Sequence, residues 1–281
     1  IIINYRKMSI YKNFQNIISL FKHREIVSIP YLVGDTCLLE GKTAIITGGS
    51  GGIGYAIAES LIQSGCNVII TGTNVSKLER CCAQLGVNAK YLQLELDRVT
   101  TFNVKIEEAS HFYGPIDILI NSAGIFSSNN TFINVEENEY DNIMDINLKG
   151  TYFITQAVAN HMIKRNVKGH ILMVSSQSAL EPSWSPYRLS KYGLNGITRG
   201  IAQQLLPYGI VVNGIGPGPT ATGMQNYHEG DSISTNGNPA KRYTMPQEIA
   251  IYAKYLVSDM GNMIIGNTIY LSGGRGIIEV Y

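Results

Sequence analysis

Charge is scarce in this chain of 281 residues: 22 Lys and Arg stand against 21 Asp and Glu, for a net charge of +1. That balance lacks the basic footprint of general nucleic-acid binding, and no nucleic-acid partner is expected. Cysteine is scarce as well. Cys37, Cys66, Cys81 and Cys82 form no C-x-x-C pair and have no His cluster beside them. Neither a metal site nor a disulfide framework is therefore expected, and reduced thiols in the cytoplasm are. No apolar run approaches the roughly 20 residues of a membrane span. A secretory signal with charged start, apolar core and cleavage site is missing too. Apolar residues are plentiful at 44%, enough for a large core.

Residues 1–40 stand apart as an N-terminal extension. Ile10, Phe14, Ile17, Ile18 and Phe21 fall on one helical stripe beside Lys12, Lys22 and Arg24, and no acidic residue precedes Glu25. The pattern fits an amphipathic helix packed on the body or on a neighbouring subunit, or a transit or membrane-surface segment. The chain opens on Ile1, and Met8 is a candidate start. Residues 41–281 then alternate short apolar runs with helical patterns. Strands are expected at 43–47, 68–71, 91–96, 116–120, 171–174, 210–213 and 268–271. Helices are expected at 55–63, 76–85 with Ser76 as cap, 99–113, 140–165, 186–206 and 246–258. This alternation predicts a single α/β domain, a parallel sheet with helices on both faces. Ligands of such sheets bind at the carboxyl ends of the strands. Four distinctive stretches lie just past strands: residues 48–54, 121–124, 175–176 and 217–222.

The segment 175–191 reads S-S-Q-S-A-L-E-P-S-W-S-P-Y-R-L-S-K. Its Tyr187 and Lys191 are four residues apart, on one helix face. A free Tyr titrates near pH 10, and moving it to about 7 takes roughly 4 kcal/mol. A cation about 4 Å away at an effective dielectric of about 20 supplies on the order of 4 kcal/mol. Alone, a Y-x-x-x-K pair is a common surface feature; its neighbours give it weight. Residues 47–54 read T-G-G-S-G-G-I-G, with Gly48, Gly52 and Gly54 between a strand and a helix. Such glycines let backbone approach a pyrophosphate resting on a helix start.

Taken together, residues 40–276 resemble the short-chain dehydrogenase/reductase family. The matching pieces are the glycine motif, N-S-A-G at 121–124, Asn147 in M-D-I-N-L-K-G, Ser176, Tyr187 with Lys191, V-N-G-I-G-P-G at 212–218, and a closing S-G-G. The resemblance implies a Rossmann-type, doubly wound sheet of about seven strands and a nicotinamide cofactor. It implies an alcohol–ketone oxidoreductase acting on a small molecule. Tyr187 would be its acid–base group, and Lys191 would lower that phenol's pKa and hold ribose hydroxyls. Ser176 would orient the substrate oxygen, and Asn147 would hold a proton-relay water. Cofactor contacts would come from Gly48, Ser50, Gly52, Ile53, Gly54, Thr73, Asn74, Leu96, Asn121, Ala123, Gly124, Tyr187, Lys191, Pro217, Gly218 and Thr222. Residues 219–245 would form a substrate lid. Helices 140–165 and 187–206 carry apolar residues on several faces, among them Met144, Tyr152, Phe153, Leu194, Ile197 and Ile201; in the family they build a homodimer or homotetramer interface.

The sequence departs from the family pattern in three places. Ser176 and Tyr187 are closer in sequence than usual, which keeps Ser175 and Ser178 as candidates. Ser122 replaces a customary Asn, and Glu95 a customary Asp. A catalytically idle dinucleotide sensor or scaffold is a second reading, although such relatives usually lose the Tyr or the Lys. Nucleotide-sugar epimerase or dehydratase chemistry is a third, with a different glycine spacing and a larger C-terminal domain. Past the second strand, NAD-preferring relatives place an Asp where this chain has Gly72. NADP-preferring relatives commonly carry a basic residue where this chain has Gly51 or Thr73, and neither is basic, so NADP(H) is favoured only by a modest margin, with NAD(H) not excluded. Thr71, Thr73, Asn74 and Lys77 are available for a 2′-phosphate.

Overall fold

A computed structural model describes residues 37–126, 131–228 and 230–278. The amphipathic helix expected before residue 37 lies outside them. The strands are apolar on consecutive residues because both faces of the sheet are covered. They are β1 (Thr43–Thr47), β2 (Asn67–Gly72), β3 (Ala89–Gln93), β4 (Ile118–Asn121), β5 (His170–Val174), β6 (Val211–Pro217) and β7 (Thr268–Leu271). All pairings are parallel, in the order β3-β2-β1-β4-β5-β6-β7. β1, whose five residues are all buried, has β2 on one side and β4 on the other, so the chain reverses direction across the sheet there. That switch point opens a crevice at the carboxyl ends.

Seven helices are named in chain order: α1 (Gly52–Gln63), α2 (Val75–Leu85), α3 (Phe102–Tyr113), α4 (Glu137–Met144), α5 (Thr151–Lys164), α6 (Pro186–Leu205) and α7 (Pro246–Leu256). Side chains alternate across each strand. Ile46 and Ile70 therefore pack with Ile57 and Leu61 of α1 and Ile249 of α7, whereas Ile45 and Ile69 pack with Phe102, Val158 and Ala202 of α3, α5 and α6. Each fully buried Ile or Leu stabilises the fold by about 1.5–3 kcal/mol. Leu39, 2% exposed, joins the first of these clusters, so the core takes in a residue upstream of position 41.

Several element boundaries differ from the sequence expectation. The strand expected at 91–96 is Ala89–Gln93, because the chain leaves the sheet edge before reaching Leu96. Ser76 is not the cap of α2; Asn74 is, its side chain accepting from the Lys77 N–H at 2.9 Å. The single helix expected at 140–165 is interrupted by a π-helical turn, Asp145–Gly150. A Cβ on Gly150 would lie 2.2 Å from the Leu96 carbonyl oxygen, so the wider turn brings backbone against the segment after β3. On the helices expected at an interface, Leu194 belongs to the core, while Tyr152 and Phe153 are exposed.

Candidate active site

The glycine loop follows β1. Gly48 has φ +66°, and a Cβ there would lie 2.7 Å from Ala123 Cα, so the loops after β1 and β4 meet backbone to backbone. A Cβ on Gly52 would lie 2.5 Å from Thr222 Cγ2, which brings the loop after β6 onto the start of α1. That helix has no acidic residue in its first turn and no side-chain cap. Its leading N–H groups lack carbonyl partners a turn earlier and favour an anion. The three loops form the floor of a cavity of ≈ 640 Å³.

Of the expected cofactor residues, Gly48, Ser50, Gly52, Ile53, Gly54, Thr73, Asn74, Leu96, Ala123, Gly124 and Thr222 line this cavity. Asn121 does not; its side-chain amide donates to Thr155 Oγ1 at 2.9 Å, inside the core. Thr71, Lys77, Glu95, Asp97 and Ile146 join the lining. The Thr71 hydroxyl is buried without a hydrogen-bond partner at the end of β2. A glycine floor that a Cβ would fill, an uncapped helix start and an orphaned hydroxyl fit a dinucleotide with phosphates over α1 and a ribose near Thr71.

A second cavity, ≈ 360 Å³, adjoins the first through Ile53, Thr222 and Met224, which line both. Ser176, Tyr187, Pro217 and Gly218 face it, as do Phe126, Gln177, Trp184, Arg188 and Arg275. Tyr187 is held in the first turn of α6. Ser185 caps that helix by accepting from the Arg188 N–H at 3.3 Å, and Pro186 presets the backbone. Phe126 packs edge-on against the Tyr187 ring, centroids 4.9 Å apart. One turn on, Lys191 is buried; its Nζ donates to the Val174 carbonyl at 3.0 Å and lies 5.6 Å from the Tyr187 ring centroid.

The three serines separate by their partners. Ser176 Oγ accepts from the Ser178 N–H at 3.1 Å, and its hydroxyl lies beside the Tyr187 side chain and favours the phenolate. The Ser175 hydroxyl instead donates to Asn195 Oδ1 at 2.8 Å, and Ser178 Oγ accepts from Gln177 Nε2 at 3.3 Å. Asn147 sits on the π turn, fully buried. Its amide exchanges bonds with Ile125, accepting from N at 2.8 Å and donating to O at 2.9 Å. A Cβ on Gly124 would lie 3.4 Å from Asn147 Oδ1 and 3.6 Å from Lys191 Nζ, so all three groups converge behind Tyr187.

The charge balance differs from the expectation. Burial pushes the Tyr187 phenol up, and the neighbouring Ser176 side chain offsets this only in part. Burial also lowers Lys191, to about 8. Both shifts disfavour the charged forms, so Tyr187 rests as a phenol while Lys191 keeps its proton up to about pH 8, because the amine reaches a carbonyl instead of the phenol oxygen and desolvation dominates both groups.

Residues 219–245 leave β6 and return with their ends tied together. Thr220 bridges Thr244, the Thr244 N–H donates to the Pro219 carbonyl at 2.9 Å, and the Ala221 N–H to the Thr244 carbonyl at 3.0 Å. Arg275 carried no sequence signal, since only the fold returns the end of the chain to this cavity. For Thr71 a signal was present: a hydroxyl at the carboxyl end of an expected strand.

A family model described as short chain dehydrogenase matches residues 42–232. The 3-oxoacyl-[acyl-carrier-protein] reductase FabG of Aquifex aeolicus is 32% identical over 251 residues, covering 84% of this chain and 98% of the relative. The protein of the same name from Vibrio harveyi is 33% identical over 244 residues, with 85% and 99% covered. A solved structure of 3-ketoacyl-(acyl-carrier-protein) reductase from Brucella melitensis, complexed with NADH, superposes with a TM-score of 0.78 at 29% identity. It covers 85% of this chain and 100% of that one. Sequence, sheet order and loop placement agree, and the chain belongs to the short-chain dehydrogenase/reductase family of oxidoreductases.

Proposed function

We propose that this oxidoreductase interconverts a ketone and a secondary alcohol on a small molecule, with NADP(H) preferred over NAD(H). The observation that carries the reading is that Ser176 and Tyr187 face the smaller cavity, with Lys191 Nζ buried behind them 5.6 Å from the Tyr187 ring centroid. A bound nicotinamide dinucleotide supplies or accepts the hydride. Gly48, Gly52, Gly54 and the first turn of α1 hold its phosphates, and Thr222 and Lys191 hold its nicotinamide half. The catalytic work of the chain is proton transfer and orientation. The Ser176 hydroxyl donates to the substrate oxygen and fixes it beside Tyr187. During reduction Tyr187 gives its proton to that oxygen; during oxidation it takes one back.

A neutral phenol beside a lysine still charged at neutral pH makes the Lys191 contribution differential. An ammonium 5.6 Å from the ring centroid stabilises a phenolate by on the order of 3 kcal/mol at an effective dielectric of about 20. The neutral phenol receives little of this, so the effect grows as the proton leaves. Asn147 lies behind the amine to hold the water that returns the proton. Residues 219–245 act as a lid over the substrate cavity.

The preference for NADP(H) rests on Gly72, which puts no carboxylate at the end of β2, and on Thr71, Asn74 and Lys77 in the lining there. Glu95 in the same lining is paired with Arg98 at 2.8 Å. The reading is tested by following NADPH absorbance with a panel of ketones. Tyr187→Phe should lower turnover by at least about a hundredfold while leaving NADPH affinity intact; near-normal turnover would remove Tyr187 from the mechanism.

A further inference from the structure

The smaller cavity has charged lining of one sign. Arg188 and Arg275 face it, and no Asp or Glu does among the described residues. Glu181 stands behind them: Arg275 Nε donates to its Oε1 at 2.7 Å, and Arg188 Nη2 pairs with its Oε2 at 3.1 Å. Two backbone carbonyls complete the fixation. Arg188 Nη1 donates to the Pro182 carbonyl at 2.8 Å and Arg275 Nη1 to the Gly237 carbonyl at 3.1 Å. Two guanidiniums against one carboxylate leave a net positive wall, held rigid and retaining further N–H donors.

We propose that this wall selects substrates carrying an oxyanion, a carboxylate in the first instance, close to the reacting carbonyl or hydroxyl. The proposal rests on the reading above in one respect, that the smaller cavity receives the substrate. Its place follows from the chain. Arg188 is the residue after Tyr187 on α6, so the proton donor and the cation belong to one helical turn. A planar guanidinium matches a carboxylate through paired N–H donors, a geometry that a neutral ester cannot use as well. The volume, ≈ 360 Å³, is at the small end for ligand cavities and suits a compact molecule. Half-exposed Phe126, Trp184 and Met224 complete the lining and offer apolar contact for a short carbon skeleton.

Trp184 is the only tryptophan of the chain and lines the cavity, so its fluorescence reports occupancy without any need for turnover. The full chain, saturated with NADP+, in whose presence a ketone cannot be reduced, is titrated with acetoacetate, its methyl ester and dihydroxyacetone phosphate. Acetoacetate should bind more tightly than the ester by on the order of tenfold or more. That ratio should collapse toward unity in Arg275→Gln and in Arg188→Gln, and recover in Arg275→Lys. A general loosening of the cavity would weaken both ligands and leave the ratio unchanged. A phosphate that binds more tightly than acetoacetate supports the oxyanion wall and identifies the group as a phosphate. An ester that binds as well as the acid overturns the proposal. So does a ratio that survives both Gln variants, and so does the absence of saturable change with all three ligands. NADPH oxidation measured in parallel tests only the redox reading: acetoacetate bound with this preference but never reduced counts against acetoacetate as the substrate and leaves the anion wall standing.

Discussion

Lys191 places a strained charge at the centre of the fold, and removing it should stabilise the protein while disabling it. The amine is 5% exposed and titrates at about 8 against an ordinary 10.5. At about 1.36 kcal/mol per pH unit, holding it charged in the folded chain costs on the order of 3 kcal/mol. Lys191→Met keeps the length and packing of the stem but gives up the hydrogen bond to Val174, worth about 1 kcal/mol. The variant should therefore gain about 2 kcal/mol near neutral pH, or roughly 3–4 °C in Tm for a chain of this size.

The sign with pH follows from linkage. Below about 8 both the folded and the unfolded lysine are protonated, and the full cost is present. Between about 8 and 10.5 the unfolded chain holds the proton and the folded chain does not, so the wild type gains stability with rising pH and the gap closes. Urea titrations of both proteins at pH 7 and near pH 10, at one protein concentration and without cofactor, measure the gap directly. A Lys191→Met protein less stable than wild type at pH 7, or a gap that does not narrow at high pH, would refute the reasoning. The variant should also lose turnover and NADPH affinity, a trade of function against stability often found where an active site buries a charge.

Two further outcomes follow from named contacts. Ser176→Ala should impair turnover far more than Ser175→Ala or Ser178→Ala, because of the three hydroxyls it is Ser176 that acts on the Tyr187 phenol; steady-state rates of the three variants with one ketone decide it. Gly72→Asp should move preference toward NADH by on the order of tenfold or more, since a carboxylate there repels a 2′-phosphate and accepts from ribose hydroxyls. Its Cβ would meet nothing nearer than Leu78 Cδ2 at 3.6 Å, so the fold should tolerate it; fluorescence titration with both reduced cofactors reads the ratio, and an unchanged ratio contradicts the placement.

The sequence by itself determined the strand and helix alternation, the glycine turn after β1 and the pairing of Tyr187 with Lys191. Each of these is a local signal. Apolar runs mark strands buried on both faces, and four residues of helix bring a phenol and an amine to one side whatever surrounds them. The tertiary structure decided the rest. Asn147 reaches Ile125 from a π turn, a widening of the helix that apolar periodicity between 140 and 165 does not encode. Which of three neighbouring serines meets Tyr187 depends on the path of the chain between β5 and α6, and equal residue types carry no mark of it. The direction of the Tyr187 shift ran against the sequence expectation because helical spacing gives proximity but says nothing of desolvation or of the Val174 carbonyl that takes the amine. Arg275 lines the smaller cavity because the fold returns this late segment of the chain to Glu181, a contact between residues distant in sequence that only packing can specify.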